Sequence, residues 1–466
     1  MIKMRAKDQN TKNGSVHKQW IIGFISTTMI LTYGLQSGWM SPTINTLQSE
    51  RSPCGRPLTT NEISLVAGLI SMAAITTAVI FGYIADYIGR RKTLILIVIP
   101  QILGFALKLV SAHPICLMVA QACCGIAGGG VYCVTPTYVK EIAQDSIRGV
   151  LGCSGILLQS LGLVIMYAMG AYMEYYTVLW IVVWLPIINI IALFQIPESP
   201  AFLVKTGKVE EATNVMAWLR GVEEDHKEVE RDITILQNEM MASENLPAVT
   251  WKSILSDKVS RRALGLSFLC MTMLDLGGNY GIVAYASVIL KQSGVTFSPE
   301  LQALSFPILM TLGSLISAVT IEKFGRKPLI MVSAIFTGTP LAVLGAMLLV
   351  VKSGGSMPPW IPVACIGICL YASGQMMSLP FIVMSEMFNV QLRTKVLGLL
   401  STYGWSLAGL QTLLFAPITE RFGMYTIFFT FALVNAIGTL ICAITMPETK
   451  GKTLAEINKE LLGRRK

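Results

Sequence analysis

The sequence predicts an all-α membrane protein of twelve transmembrane helices in two pseudo-symmetric six-helix bundles, with short cytosolic helices between the bundles. Three observations predict this fold class. Hydrophobic residues make up 53% of the chain and charged residues only 14%, whereas soluble domains usually carry about a quarter charged residues. Apolar segments long enough to cross a bilayer recur along the chain. One long polar segment, Pro197–Arg262, divides them into two sets.

Twelve apolar segments, which we call spans 1 to 12, have the length of about 20 residues that a bilayer requires. Spans 1 to 6 are predicted at 20–41, 63–84, 93–111, 115–139, 150–171 and 177–196. Spans 7 to 12 are predicted at 263–290, 302–321, 328–351, 361–387, 396–418 and 424–446. The expected domains are a basic cytosolic tail 1–19, an N-terminal bundle 20–196, the linker 197–262, a C-terminal bundle 263–446 and a cytosolic tail 447–466.

The distribution of positive charge predicts that both termini and the linker are cytosolic, because Lys and Arg concentrate in cytosolic loops. This topology leaves only six of the 36 Lys and Arg residues near the outer side: Arg51, Arg56, Lys108, Lys291, Lys352 and Arg421. Lys108 lies near an outer helix end, where its long side chain is expected to reach the surface. The net charge of +9 therefore reflects membrane orientation and not a nucleic-acid partner. We expect a monomer in the plasma membrane.

The linker itself contains two helical patterns. Five apolar residues share one helical face: Val209, Ala212, Val215, Met216 and Leu219. Four more share a second face: Val229, Ile233, Leu236 and Met240. Such patterns predict short amphipathic helices, which lie either on the underside of the bundles or on lipid.

Three motifs occur once in each half, in the same order and after corresponding spans. The first copies are Gly82–Lys92, Glu141 with Arg148, and Pro197-Glu198-Ser199. The second copies are Glu322–Lys327, Glu386 with Arg393, and Pro447-Glu448-Thr449. This is an internal repeat of six spans. Both copies begin on the cytosolic side, so we expect them to be related by an axis along the membrane normal.

On these motifs the chain resembles the sugar porters of the major facilitator superfamily, over essentially its whole length beyond the basic tail. The most specific segments are Gly82–Lys92, Pro197–Arg220 and Pro447–Leu454. The chain is most similar to the insect facilitated trehalose transporter-like group. The resemblance implies that the linker helices form an intracellular helical domain. No phosphate-binding loop or metal-ligand cluster is evident, so we expect neither an enzyme nor a bound cofactor or metal.

The charged motifs predict a gate at the cytosolic ends of the bundles. Charge pairs that separate when two bundles part can act as a switch, and exposed pairs contribute only about 0–1 kcal/mol each, which suits a reversible gate. Two sets of residues are predicted to pair across the bundles when the cytosolic side is closed: Asp86, Arg90, Arg91, Glu141, Arg148 and Glu198 with Glu322, Arg326, Glu386, Arg393 and Glu448. Alternatively, these residues serve as orientation signals and helix caps.

The solute site is expected at mid-membrane between the two halves. The candidate contacts are Gln121, Gln159, Asp275, Asn279, Tyr280, Tyr285, Phe381 and Trp405. For each of them except Asp275, a packing role is an equally good interpretation. The chain departs here from the sugar porters that it resembles, which have different side chains where this chain has Gln121, Ile156, Leu274-Asp275, Tyr280, Phe381 and Gly404.

Asp275 stands out because an ionisable side chain near the middle of a span is costly and marks a functional-site hypothesis. It could bind solute hydroxyls, pair with a cationic solute or carry a proton. Span 1 has no acidic residue between Trp20 and Pro42, where the resemblance implies a carboxylate in proton-coupled members. We therefore predict a facilitative transporter of a sugar or related small polar solute that works by alternating access. Two alternatives stay open: a proton-coupled or cation-accepting carrier that uses Asp275, and a non-transporting solute sensor.

Overall fold

A computed structural model describes residues 16–223, 226–244, 255–293, 302–388 and 390–463. These residues form helices joined by turns and short irregular segments, and no strand occurs among them. The predicted all-α class is therefore confirmed. Most of the basic tail, linker residues 224–225 and 245–254, and the side chain of Glu322 lie outside the described residues.

All twelve predicted spans are helical. The helices of spans 1 to 6 are His17–Gly38 with Met40–Leu47, Thr60–Ile88, Arg90–Val110, Pro114–Ile142, Asp145–Tyr172, and Tyr175–Val182 with Trp184–Leu193. The helices of spans 7 to 12 are Lys258–Asp275 with Asn279–Gln292, Ser305–Phe324, Arg326–Lys352, Trp360–Met376 with Leu379–Met387, Val390–Phe422 and Met424–Thr445. Nine of the described helices are long and apolar enough to cross a membrane. Spans 1, 8 and 11 complete the twelve-helix fold, and spans 1 and 11 bury polar residues such as Gln36 and Gln411.

Four spans are broken, which apolar length alone does not predict. Span 7 breaks between Asp275 and Asn279, where Gly278 adopts a φ of 115° that side-chain-bearing residues rarely tolerate. Span 10 breaks before Leu379, just ahead of Pro380, whose ring nitrogen cannot donate a helical hydrogen bond. Spans 1 and 6 bend at single residues, Trp39 and Val183.

The two bundles meet along spans 2 and 11, and through the ends of spans 1 and 7. Small residues allow the close approach of spans 2 and 11, because a Cβ atom at Gly68 would lie 3.2 Å from the Cβ atom of Leu413. We call the membrane face that carries the linker 197–262 the linker face. On the opposite face the Ser287 hydroxyl donates to the Ser41 carbonyl at 2.5 Å, and the Tyr167 hydroxyl donates to the Val283 carbonyl at 2.5 Å. The bundles are thus hydrogen-bonded to each other on the face opposite the linker.

The described part of the linker contains the helices Pro200–Lys205, Val209–Arg220 and Lys227–Glu244. The apolar faces predicted from the sequence pack together in a small core that includes Ala212, Met216, Val229 and Ile233. The Gln19 side-chain amide donates to the Leu219 carbonyl at 3.2 Å, which ties this core to the N-terminal bundle. The linker helices therefore lie on the protein, as the resemblance implies.

Candidate functional site

A cavity lies between the two bundles near the middle of the membrane-spanning helices. Spans 1, 2, 4 and 5 line it from the N-terminal bundle, and spans 7, 8, 10 and 11 line it from the C-terminal bundle. Counted as the space open to the centre of a water molecule, its volume is about 60 Å³, which is room for a few waters. A larger solute therefore requires the bundles to move apart.

Three carboxamide side chains reach this cavity: Gln121 from span 4, Gln159 from span 5 and Asn279 from the start of the second helix of span 7. Each is at least nine-tenths buried. Within the described part of the chain, the side-chain oxygen of each has no hydrogen-bond partner. Buried polar atoms are normally paired, so these three oxygens form a set of acceptors for a ligand.

Four aromatic rings cluster beside the cavity: Tyr33, Tyr132, Tyr280 and Trp405. The Trp405 ring centroid lies 6.2 Å from that of Tyr33, 6.0 Å from that of Tyr132 and 6.2 Å from that of Tyr280. The cluster joins helices of both bundles. Tyr280 and Trp405 are among the contacts predicted from the sequence, whereas Tyr33 and Tyr132 are not, because a single aromatic residue in an apolar span is indistinguishable from a packing residue.

Three other candidate contacts do not line the cavity. Tyr285 stacks on Phe415 at 4.7 Å between ring centroids, and its hydroxyl donates to the Thr412 carbonyl at 3.3 Å. Phe381 is 36% exposed on span 10. Asp275 lies at the break of span 7, with its carboxylate against Gly404 of span 11.

Lys108 is buried, so the expectation that its side chain reaches the surface is wrong. Its exposure is 0%, and its ammonium group lies 3.9 Å from the centroid of the Trp39 ring and 5.8 Å from that of Phe105. Trp39 marks the bend of span 1 and folds over the lysine. This cation–π contact replaces the hydration that a helix end would have offered.

The first copy of the repeated charged motif forms a cap at the linker face. Glu198 accepts from the backbone N–H groups of Arg90 and Arg91 at 2.8 and 3.0 Å, where the helix of span 3 begins. The Arg90 guanidinium in turn donates to Glu141 at 3.0 Å and contacts Asp86 at 3.1 Å. Ser199 donates its hydroxyl to Glu141. A carboxylate at a helix N-terminus is favourable because the free N–H groups there carry partial positive charge.

The second copy repeats this geometry in the C-terminal bundle. Glu448 accepts from the N–H groups of Arg326 and Lys327 at 2.9 and 3.1 Å. The Arg326 guanidinium contacts Glu386 at 2.8 Å. The next basic residues also correspond, because Arg91 donates to the Leu193 and Phe194 carbonyls and Lys327 donates to the Ala443 carbonyl. The predicted sequence repeat is thus also a repeat of hydrogen bonds.

In this conformation the ion pairs of Arg90 with Asp86 and Glu141, and of Arg326 with Glu386, lie within one bundle each. Arg148 and Arg393 are exposed, and Arg148 donates to the Ala143 carbonyl at 3.1 Å. The helix-cap interpretation therefore describes Glu198 and Glu448 here, and pairing across the bundles stays a prediction for a state closed at the linker face.

Glu448 lies just beyond span 12, where its environment shifts its acidity. Burial raises the pKa of its carboxyl, but backbone N–H groups of Lys450, Arg326, Lys327 and Thr449 donate to it and together hold the pKa below its usual value. The group is therefore held as a carboxylate, the form that can cap the helix.

Comparison with known proteins agrees with this architecture. At 25% identity, the chain is similar to the facilitated trehalose transporter Tret1 of Bombyx mori over 95% of this chain and 86% of that protein. It is also 25% identical to the facilitated trehalose transporter Tret1-2 homolog of Drosophila sechellia, over 98% of this chain and 93% of that protein.

Solved structures show the same fold. The inward open conformation of the xylose transporter XylE from E. coli matches with a TM-score of 0.78 at 16% identity, covering 94% of this chain and 99% of that chain. XylE described as a proton:xylose symporter bound to 6-bromo-6-deoxy-D-glucose matches with a TM-score of 0.73 at 16% identity, covering 95% and 98%.

The family model for sugar (and other) transporters matches residues 13–461, nearly the whole chain. The resemblance noted from the repeated motifs is thereby confirmed, as is the expectation of a transporter and not an enzyme. This chain, with its two capped six-helix bundles around a central cavity, belongs to the sugar (and other) transporter family.

Proposed function

We propose that the protein carries a sugar or related small polar solute across the membrane by facilitated diffusion. The observation that carries this proposal is the set of unpaired amide oxygens of Gln121, Gln159 and Asn279 in the cavity between the bundles. Hydroxyl groups of a polyol can donate to these oxygens, and the amide N–H groups can donate back. The names of the relatives, trehalose and xylose transporters, support the same solute class.

The aromatic cluster suits the same solute. The Tyr280 ring borders the cavity beside Asn279, so it offers an apolar face to the CH groups of a sugar while the amides bind its hydroxyls. The unpaired Tyr132 hydroxyl adds a further donor next to this surface. The expected ligand therefore has one apolar side and a rim of hydroxyl groups.

We infer that the linker face is cytosolic, in the plasma membrane, with both termini on that side and the protein acting as a monomer. Positive charge concentrated at this face supports the orientation. The hydrogen bonds of Ser41 with Ser287 and of Tyr167 with Val283 hold the opposite face closed. This conformation accordingly corresponds to an inward-facing state, and the solute enters or leaves through the linker face.

The motif charges act as the inner gate in this scheme. In the inward-facing state, Arg90 and Arg326 pair with Glu141 and Glu386 of their own bundles. Closure of the linker face brings the exposed Arg148 and Arg393 towards the facing bundle, where new pairs form and stabilise the outward-facing state. The weakness of exposed pairs, about 0–1 kcal/mol each, keeps the two states close in free energy.

A counterflow experiment tests the transport proposal. Purified protein in liposomes should exchange labelled sugar for unlabelled sugar without accumulating it, both with and without a proton gradient. Gln121→Ala and Gln159→Ala should each lower exchange about tenfold, because one lost hydrogen bond to a solute is worth about 1.4 kcal/mol. Glu420→Gln, which changes an exposed carboxylate, is the matched control. Sugar binding without exchange would identify a sensor instead.

The gate has its own test. Arg148→Ala and Arg393→Ala should lower exchange while leaving membrane insertion and abundance unchanged. Lys395→Ala, also exposed near the start of span 11, controls for loss of positive charge. Normal exchange by both arginine variants would show that the gate assignment is wrong.

A further inference from the structure

At the break of span 7, an acidic side chain lies at the C-terminal end of a helix, which carries partial negative charge. The helix Lys258–Asp275 ends at Asp275, and the next helix begins at Asn279. The last carbonyls of a helix carry partial negative charge, and an acidic side chain beside them is unfavourable unless a cation is near. Half-helix ends of this kind inside transporters coordinate cations.

The Asp275 carboxyl group is buried and unpartnered. Its residue is 2% exposed, and its Oδ2 atom has no hydrogen-bond partner among the described residues. No basic side chain of the described chain forms an ion pair with it. An uncompensated buried charge costs several kcal/mol, so a positively charged ligand at this position would be stabilising.

The surroundings of Asp275 suit a cation. Tyr280 lies in the first turn of the next helix, and Trp405 directly follows Gly404, beside which the Asp275 carboxylate oxygen lies. The centroids of the Tyr280 and Trp405 rings are 6.2 Å apart. Aromatic faces attract cations that have lost their water. Gly404 lets the Asp275 carboxylate lie close to the backbone of span 11, because a Cβ atom at Gly404 would lie 2.7 Å from Asp275 Oδ2.

We propose that the break of span 7 is a binding site for a monovalent cation, held between the Asp275 carboxylate and the rings of Tyr280 and Trp405. The cation is either an inorganic ion or the ammonium group of an amino sugar, since both present the same compact positive charge. This site goes beyond the proposed carriage of a neutral sugar, which needs no fixed negative charge.

Unfolding temperature is the readout, so the test does not depend on transport. The purified full chain is followed by tryptophan fluorescence while sodium, potassium and ammonium chloride replace one another at constant total concentration. In a second arm, glucosamine hydrochloride is compared with glucose at constant sodium chloride. A ligand that binds the native state raises the unfolding temperature and saturates.

One cation should stabilise the protein selectively and saturably, with an apparent affinity at least tenfold weaker in Asp275→Asn and unchanged in Glu420→Gln. Selectivity among the simple salts assigns an inorganic ion, and stabilisation by glucosamine alone assigns a solute ammonium group. The absence of selectivity in both arms, or its survival in Asp275→Asn, overturns the site. A pH-dependent flux abolished in Asp275→Asn without any cation selectivity also overturns it, because the carboxyl would then hold a proton.

If Asp275→Asn fails to fold, Gly404→Ala keeps the test decisive. It retains the carboxyl group and places a methyl group 2.7 Å from Asp275 Oδ2 and Met271 Cε, so the carboxyl group must shift. The variant should bind the selected cation at least tenfold more weakly than the wild type. Unchanged binding in Gly404→Ala would overturn the proposal.

Discussion

The same charged motif is built at the linker end of both bundles, but the two copies are not equally complete. In the N-terminal copy, Glu141 accepts from Arg90 and from the Ser199 hydroxyl. In the C-terminal copy, the corresponding Thr449 hydroxyl and the Oε2 atom of Glu386 are buried without a partner among the described residues. The N-terminal copy is also bound to the linker, where Lys205 lies 3.5 Å from Asp86. Identical backbone geometry therefore supports two networks of different strength.

The difference suggests a division of labour between the bundles. The backbone part of the motif consists of a glycine and the N–H groups of the next two residues, which donate to a glutamate carboxylate. This part is the same in both bundles and keeps each bundle rigid at its end. The side-chain part is saturated in one bundle and has free hydrogen-bonding capacity in the other. Unused acceptors at Glu386 are available to a partner from the facing bundle, so we expect the C-terminal copy to change partners more readily during closure.

The largest expected effect comes from removing the buried guanidinium. Arg90→Met should destabilise the protein by about 3–5 kcal/mol, because Glu141 is left buried without its cation. Arg326→Met should cost about 1 kcal/mol less, since the Glu386 side chain is 24% exposed against 14% for Glu141 and has fewer bonds to lose. Unfolding followed by tryptophan fluorescence in detergent measures both. Equal losses would contradict the claimed asymmetry.

Next in size is a change that should affect both copies equally. Gly89 and Gly325 have φ angles of 102° and 93°, in a region that costs other residues about 1–3 kcal/mol. A Cβ atom would also lie 2.8 Å from Glu198 Cδ and 2.6 Å from Glu448 Oε2. Gly89→Ala and Gly325→Ala should therefore lower the unfolding temperature by similar amounts. Gly265→Ala, in a helix with nothing within 4 Å of the new atom, is the control and should be neutral or stabilising.

A smaller and sharper contrast concerns the two hydroxyls. Ser199 donates to Glu141 and accepts from the Phe202 N–H at 3.3 Å as a helix N-cap, so Ser199→Ala should cost about 1–2 kcal/mol. Thr449→Val replaces an unpaired hydroxyl with a methyl group of the same shape, which is neutral or stabilising. The same fluorescence measurement distinguishes them. A comparable loss in Thr449→Val would show that its hydroxyl has a partner in solution.

Much of this architecture could be predicted from sequence, because its causes are local. A bilayer imposes a length on every helix, so twelve apolar segments were enough to find twelve spans. The motif pairs were found because helix capping needs glycine and glutamate at fixed spacings. The equivalence of Glu198 and Glu448 was visible before their hydrogen bonds were known.

The rest of the structure depends on which side chains contact each other between helices, and a single sequence does not contain this information. Lys108 was expected at the surface because its position is near a helix end, but Trp39 from span 1 covers it. Tyr285 and Asn279 looked equivalent as contacts in span 7, yet the turn of the helix directs only Asn279 into the cavity. The sequence marks Asp275 as an unusual residue within a span, but only the structure shows that Gly404 leaves room for its carboxylate.

The smallest expected effect is on pH dependence and belongs to the C-terminal copy. Because the folded-state pKa of Glu448 is held below its ordinary value of 4.5, the stability that it contributes is complete above that value and is lost as the pH falls through the lower folded-state pKa. Wild-type protein should therefore lose unfolding temperature on acidification more steeply than Glu448→Gln, which cannot titrate. Glu420→Gln should follow the wild-type curve. If Glu448→Gln also follows the wild-type curve, the carboxylate does not stabilise the start of span 9. The two caps would then share their geometry but not their contribution to stability.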